Sequence, residues 1–152
     1  MYEKILLAVD DSNDSFRAVK RTIDLQKLNG SEVVVFHSID SSVSLPMNFP
    51  MISTSSGTII TPMQIERERR ELGTRLLEKI KLLFRKHSVP IETRLVKDQP
   101  PEKYISKAIQ EEGFDLVVVG CEGDHSKLKR IFSDTVPSKV LNQAPADLLV
   151  VR

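Results

Sequence analysis

The sequence predicts an α/β fold: a doubly wound, five-stranded parallel sheet in the order 3-2-1-4-5, with helices on both faces, in one domain spanning residues 1–152. Three observations predict it. Short apolar runs of strand length alternate with longer segments of helical period, the pattern of parallel strands joined by crossover helices. The runs at 3–9, 32–36 and 116–120 are almost continuously apolar, as strands covered on both faces are. Right-handed crossovers leave few strand orders, and the most apolar strands, one, two and four, put the reversal of winding between strands one and four.

Strand one is the run EKILLAV at 3–9, broken by Asp10, Asp11, Ser12, Asn13 and Asp14. Ser12 or Asn13 is a suitable N-cap, and acidic residues suit the positive end of the helix that follows. Phe16, Val19, Ile23 and Leu28 give that helix its apolar face, and Asn29-Gly30 stops it. Strand two is EVVVF at 32–36, ending in His37-Ser38-Ile39-Asp40. Residues 41–61 have no period and are rich in Ser, Thr, Pro and Met, which predicts a mobile surface loop at the carboxyl end of strand two. Thr61-Pro62 caps and opens a long helix. Leu72, Leu76, Ile80, Leu83 and Phe84 are its expected inner face, and 66–71 is a solvated charged stretch. Alternation over 91–97 predicts a third strand near a sheet edge. Pro100-Pro101 starts a helix with Tyr104, Ile105, Ala108 and Ile109 buried and Gly113 at its end; LVVVG at 116–120 is strand four. A helix near 135–142 then leads to strand five at 147–151.

Composition excludes several classes. Net charge is +1, from 22 Lys+Arg against 21 Asp+Glu, so there is no bulk attraction to nucleic acid or to an anionic membrane. No apolar run has the length of a signal-peptide core or a membrane span. A single cysteine, Cys121, makes no internal disulfide, and the expected location is cytoplasmic. Three scattered histidines and one cysteine give no metal-ligand spacing, so no metal residue is assigned.

At a winding reversal the ligand crevice lies at the carboxyl ends of the two central strands. Asp10 to Ser12 and Gly120 to Gly123 are therefore expected to face each other. Gly120-x-x-Gly123 after a buried strand lets backbone approach an anion, and Asp134 to Val136 offers N–H groups at a helix start, with Lys127, Lys129 and Arg130 between them. The competing reading is a tight turn beside an ordinary helix cap. His37 reads as a hydrogen-bonded residue ending a buried strand, and Cys121 as a small residue fitting the turn. His87 ends a helix, where a cation is favourable, and His125 is a solvated loop residue.

The motifs then converge. ILLAVDDS at 5–12, the segment 33–40 with His37, VVVGxxG at 117–123, Leu128-Lys129-Arg130, Lys139-Val140-Leu141 and APADLLVV at 144–151 together resemble the universal stress protein family over the whole chain. The resemblance implies an adenine nucleotide hydrolase-like α/β fold and a homodimer formed through the terminal strand at 148–151. It also implies a dimeric stress-response switch that binds adenine nucleotide, ATP or AMP. Carried across residue by residue, Ala8, Val9 and Asp10 line the adenosine site, and Ser38 stands where an apolar adenine contact is usual. Val119, Gly120 and Gly123 sit near the ribose and first phosphate. Asp134, Thr135 and Val136 occupy the Gly-Ser/Thr end of the motif.

Asp134 departs from the family glycine. A carboxylate and a phosphate at 4 Å repel by roughly 1 kcal/mol in water and about 4 kcal/mol near a protein surface. An N-capping carboxylate also competes for the amides a phosphate needs. A Mg²⁺ ion bridging Asp134 or Asp10 to the phosphates reverses that sign. The alternative is a nucleotide-free, dimeric interaction module of the same fold. No catalytic residue is assigned; at most the chain is a slow ATP hydrolase, with Asp10 the sole candidate base. A response-regulator receiver, with Asp98 as phosphoacceptor, lacks the required lysine after strand five, and no kinase-type P-loop occurs.

Overall fold

A computed structural model of the 152-residue chain describes residues 1–39, 61–120 and 146–152. Five parallel strands form one sheet in the order β3-β2-β1-β4-β5. In chain order the elements are β1 (Lys4–Ala8), α1 (Asn13–Asn29), β2 (Glu32–Ile39), α2 (Pro62–Lys86), β3 (Glu92–Lys97), α3 (Pro101–Glu112), β4 (Leu116–Gly120) and β5 (Asp147–Val151). The expected order and the two buried central strands are observed. The expected loop at 41–61, apart from Thr61, and the expected helix at 135–142 lie outside the described residues.

Strand alternation sorts the core into two layers. Ile5, Leu7 and Val9 of the first strand segment, with Val33, Val35 and Val118, pack against Ala18, Val19 and Ile23 of α1 and Leu77, Ile80 and Phe84 of α2. Leu6, Val34, Phe36, Val117 and Val119 point the other way and pack against Ile105, Ala108 and Ile109 of α3. β1 pairs with β2 (Leu7 opposite Val35) and with β4 (Leu7 opposite Val118), so it is the central strand. At its amino end Asp115 gathers three strands. Its carboxylate accepts the Glu3 and Lys4 amides at 2.7 and 2.9 Å, and its carbonyl accepts the Asp147 amide at 2.8 Å.

The helix ends follow local chemistry. Ser12 caps α1, and Gly30 closes it at φ 72°, a left-handed conformation open to glycine. Thr61 and Gln64 form a reciprocal capping box at the start of α2. Two expected core residues are corrected. Leu28 is 80% exposed because, five residues after Ile23 and nine after Val19, it lies on the opposite face of α1. Leu72 is 56% exposed because the buried stripe of α2 is Gly73, Leu77, Ile80 and Phe84, one residue round the helix from the expected face. Tyr104 is half-buried, its ring 4.6 Å from that of Phe36. β2 runs three residues further than the apolar run, because His37 and Ser38 pair with Leu95 and Val96 although they are polar.

The outer strand β3 carries a charge cluster. The Arg94 guanidinium donates to both Glu112 carboxylate oxygens at 2.7 and 2.9 Å, to Glu92 at 2.6 Å and to the Tyr104 hydroxyl at 2.9 Å, tying α3 to the sheet edge. The hydrogen bonds from Arg94 hold both the Glu112 and Glu92 carboxyls below the usual glutamate value of 4.5, against an opposing effect of burial. A carboxyl depressed in the folded state contributes stability above its unfolded value, and that stability is lost as pH falls through the folded value. Glu92 is 54% and Glu112 32% exposed, so solvent screening limits the effect. Arg94→Met is expected to cost about 1 kcal/mol at pH 7. The difference from the parent protein should shrink as pH falls below 4.5, read from urea unfolding midpoints. An equal cost at pH 7 and pH 3 would contradict this account of the cluster.

Candidate functional site

The sequence-predicted residues that are described converge at the carboxyl end of the sheet. Ala8 ends β1, Val9 and Asp10 follow it, Ser38 lies near the end of β2, and Val119 and Gly120 end β4. This is the winding reversal, with α1 leaving β1 on one face and α3 entering β4 from the other. Ala8 and Val119 pack into the α3-side layer with Phe36, and Ser38, two residues past Phe36, shares that face. Val9 faces the α1 side. Its amide donates to the Phe36 carbonyl at 3.0 Å. The other expected residues, Gly123, Asp134, Thr135 and Val136, lie outside the described residues, as do Cys121, His125 and the basic residues Lys127, Lys129 and Arg130.

The turn between β1 and α1 is closed by its own side chains. The Asp10 carboxylate accepts the Ser12 amide at 3.0 Å, and the Ser15 hydroxyl accepts the Asp10 amide at 2.9 Å. The Ser12 hydroxyl accepts the Ser15 amide at 3.1 Å. Buried Asp14 accepts from the Arg17 guanidinium. The Ser15 amide of the first turn of α1 is thereby used internally, and Asp10, Asp11 and Asp14 place carboxylates at this end of the helix, which disfavours a phosphate there. One oxygen of Asp10, the candidate base, is committed to the turn.

Gly120 has a role the sequence reading missed. A Cβ built on it would lie 2.6 Å from the Asp14 carbonyl carbon and 2.6 Å from the Ser15 amide nitrogen, both backbone atoms. The first turn of α1 therefore rests directly on the end of β4. Glycine here serves helix–strand contact at the crevice wall, whatever else approaches it. A second close approach occurs at Gly73, where a Cβ would meet His37 Cδ2 and Leu95 Cδ1 at 2.9 Å. The signal available was its place in the 73–77–80–84 stripe of α2.

His37 is half-buried and hydrogen-bonded, as the sequence suggested: its Nδ1–H donates to the Val9 carbonyl at 2.8 Å, joining the ends of β1 and β2. The Ser38 hydroxyl donates to the Gln99 carbonyl, joining the end of β2 to the turn that enters α3. His87 caps α2 and takes a 3.4 Å contact from Lys27. Among the described residues, no group of three or more His, Cys, Asp or Glu is placed to hold a metal ion, and no helix is long and apolar enough to cross a membrane. A shallow depression lined by Gln26, Ser31, Val33, Pro90 and Ile91 lies at the opposite, amino end of the sheet.

The model of the Universal stress protein family matches residues 1–152. The chain is 28% identical over 158 residues to the universal stress protein YxiE of Bacillus subtilis, covering 100% of both chains. Among solved structures, the universal stress protein of Archaeoglobus fulgidus in complex with dAMP superposes with a TM-score of 0.57 at 19% identity, covering 99% of this chain and 98% of that one. A universal stress protein family protein of Arabidopsis thaliana with AMP bound gives 0.59 at 16% identity, covering 98% and 90%. At these identities the structural likeness speaks for the fold.

The contact at Gly120 generates a test. Gly120→Ala must displace backbone rather than a flexible side chain, and is expected to destabilise the protein by about 3 kcal/mol in denaturant unfolding. A midpoint unchanged from the parent protein would mean that α1 does not rest on β4 as described.

Proposed function

The chain belongs to the universal stress protein family, and from that premise we propose that it binds an adenine nucleotide, ATP or AMP, in the crevice between β1 and β4 and acts as a dimeric stress-response switch. The observation that carries the reading is the convergence of Ala8, Val9, Asp10, Ser38, Val119 and Gly120 at the winding reversal, where sheets of this kind take their ligands. The complexes of relatives with AMP and dAMP support the choice of nucleotide.

In this reading the phosphates lie toward the glycines that follow β4, the ribose over the end of β1 and the base toward β2. Ala8 and Val119 offer apolar contact, and Ser38 stands beside the base. Gly120, Gly123, Thr135 and Val136 supply backbone to the phosphates. Asp134 opposes a bare phosphate and favours one carrying Mg²⁺, which needs only one or two protein carboxylates beside phosphate oxygens.

The sheet edges support pairing through β5. β3 is guarded by the Arg94, Glu92 and Glu112 charges, which discourage strand addition. β5, at the other edge, is a half-buried apolar run from Leu148 to Val151. A second copy adding along β5 would cover it. That edge alone also suffices for the rival reading, a nucleotide-free interaction module.

Calorimetric titration with AMP and ATP, each with and without Mg²⁺, tests the reading on protein whose dimeric state is checked by sedimentation. Binding near the micromolar range, about 8 kcal/mol, is expected. Asp134→Gly should tighten Mg²⁺-free ATP about tenfold. No heat at millimolar nucleotide under any of these conditions would contradict the switch and leave the interaction module.

A further inference from the structure

The peptide joining Val9 to Asp10 leaves β1 at the crevice end and is held at both of its polar atoms. Its carbonyl accepts the His37 Nδ1–H at 2.8 Å. Its N–H, the Asp10 amide, donates to the Ser15 hydroxyl at 2.9 Å. A peptide unit is planar, so one bond to each of these atoms fixes the rotation of the whole plane. The direction in which Asp10 leaves the strand is fixed with it.

Ser15 belongs to the turn's own helix, whereas His37 reaches in from the neighbouring strand. The register of β1 on β2 ends at Ala8 opposite Phe36, and one residue on, the imidazole supplies the link from β2 to the Val9 carbonyl. A carbonyl only accepts, so Nδ1 carries the ring proton. The other side of the ring meets α2. A Cβ at Gly73 would lie 2.9 Å from His37 Cδ2 and 3.5 Å from Nε2, the ring atoms opposite Nδ1. The imidazole is thus set between a helix that has given up its side chain and the carbonyl that the ring holds.

We propose that His37 is a positioning residue for the crevice: by donating from Nδ1 to the Val9 carbonyl it orients the peptide that carries Asp10, and Gly73 is the space in α2 that its ring requires. This rests on the nucleotide reading above and adds a residue that acts on the site without touching the ligand. A side chain that merely fills the gap between β2 and α2 would need the ring and not the donor. Positioning needs the donor and not the ring.

Two substitutions separate these. Asn carries its amide nitrogen at the same number of bonds from Cα as His carries Nδ1, and Phe keeps a ring with no donor. His37→Phe should weaken AMP about tenfold in calorimetric titration, the worth of one hydrogen bond. It should also speed hydrogen exchange of the Asp10 amide in the ligand-free protein by about tenfold. His37→Asn should stay within about threefold of the parent in both. In the parent, long-range nitrogen–proton spectra of the neutral ring should place the proton on Nδ1. Gly73→Ala, which pushes on the ring and leaves the donor in place, should weaken AMP about threefold, and should do so less in a His37→Asn background, where Cδ2 and Nε2 are gone. The reverse order, with Phe like the parent and Asn weakened, would overturn the proposal, as would a ring proton on Nε2 alone or an equal effect of Gly73→Ala in both backgrounds. If the parent binds AMP and Asp10 exchange is unchanged in His37→Phe, the role of His37 fails and the nucleotide reading stands. If the parent binds no nucleotide, both fail.

Discussion

The structure depends on the contact between the first turn of α1 and the end of β4. Gly120 has no room for a side chain because the backbone of Asp14 and Ser15 occupies that space. That contact sets the spacing between the first turn of α1 and the end of β4 at the carboxyl edge of the sheet. The Asp10, Ser12 and Ser15 hydrogen bonds then fix the turn itself, so its shape is set by its own side chains. The β1 side offers shape and carboxylates, which disfavour an anion there.

A second set of contacts fixes the floor. His37 ties β2 to the Val9 carbonyl, and Ser38 ties β2 to the turn before α3. Both are polar residues placed in register with the edge strand β3, so the end of β2 is joined to β1 on one side and to α3 on the other. Gly73 lets α2 come close enough to pack on the His37 ring. At the outer edge, the Arg94 cluster joins α3 to β3 with bidentate geometry while presenting charge to solvent. The two sheet edges are thereby made chemically unlike: one charged, one apolar.

The fold was legible because its signals are local. LVVVG follows Asp115 and closes on Gly120, and DLLVV opens on Asp147 and is followed by Arg152, so β4 and β5 begin and end where the apolar runs do. The caps at Ser12, Gly30, Thr61 and Gly113 are residue types with one main use at a helix end. Helix faces were less legible. Leu28 falls on the far face of α1 from Val19 and Ile23, and Leu72 lies beside the stripe of Gly73, Leu77, Ile80 and Phe84, so an apolar residue near the right spacing is not thereby on the covered face. At the site, the position of Ala8, Asp10, Ser38, Val119 and Gly120 followed from strand order. The work of Gly120 did not, because a glycine admitting an anion and a glycine admitting a helix look the same in a sequence.

The central claim is that an adenine nucleotide occupies the β1/β4 crevice. Amide chemical-shift changes on titrating AMP and Mg-ATP into isotopically labelled protein test it most directly, because they report position as well as binding. The account predicts the largest changes at Asp10, Ser38 and Gly120, with little change at Gln26, Ser31 and Ile91 around the depression at the amino end. Changes centred on that depression, or none at millimolar nucleotide, would contradict it.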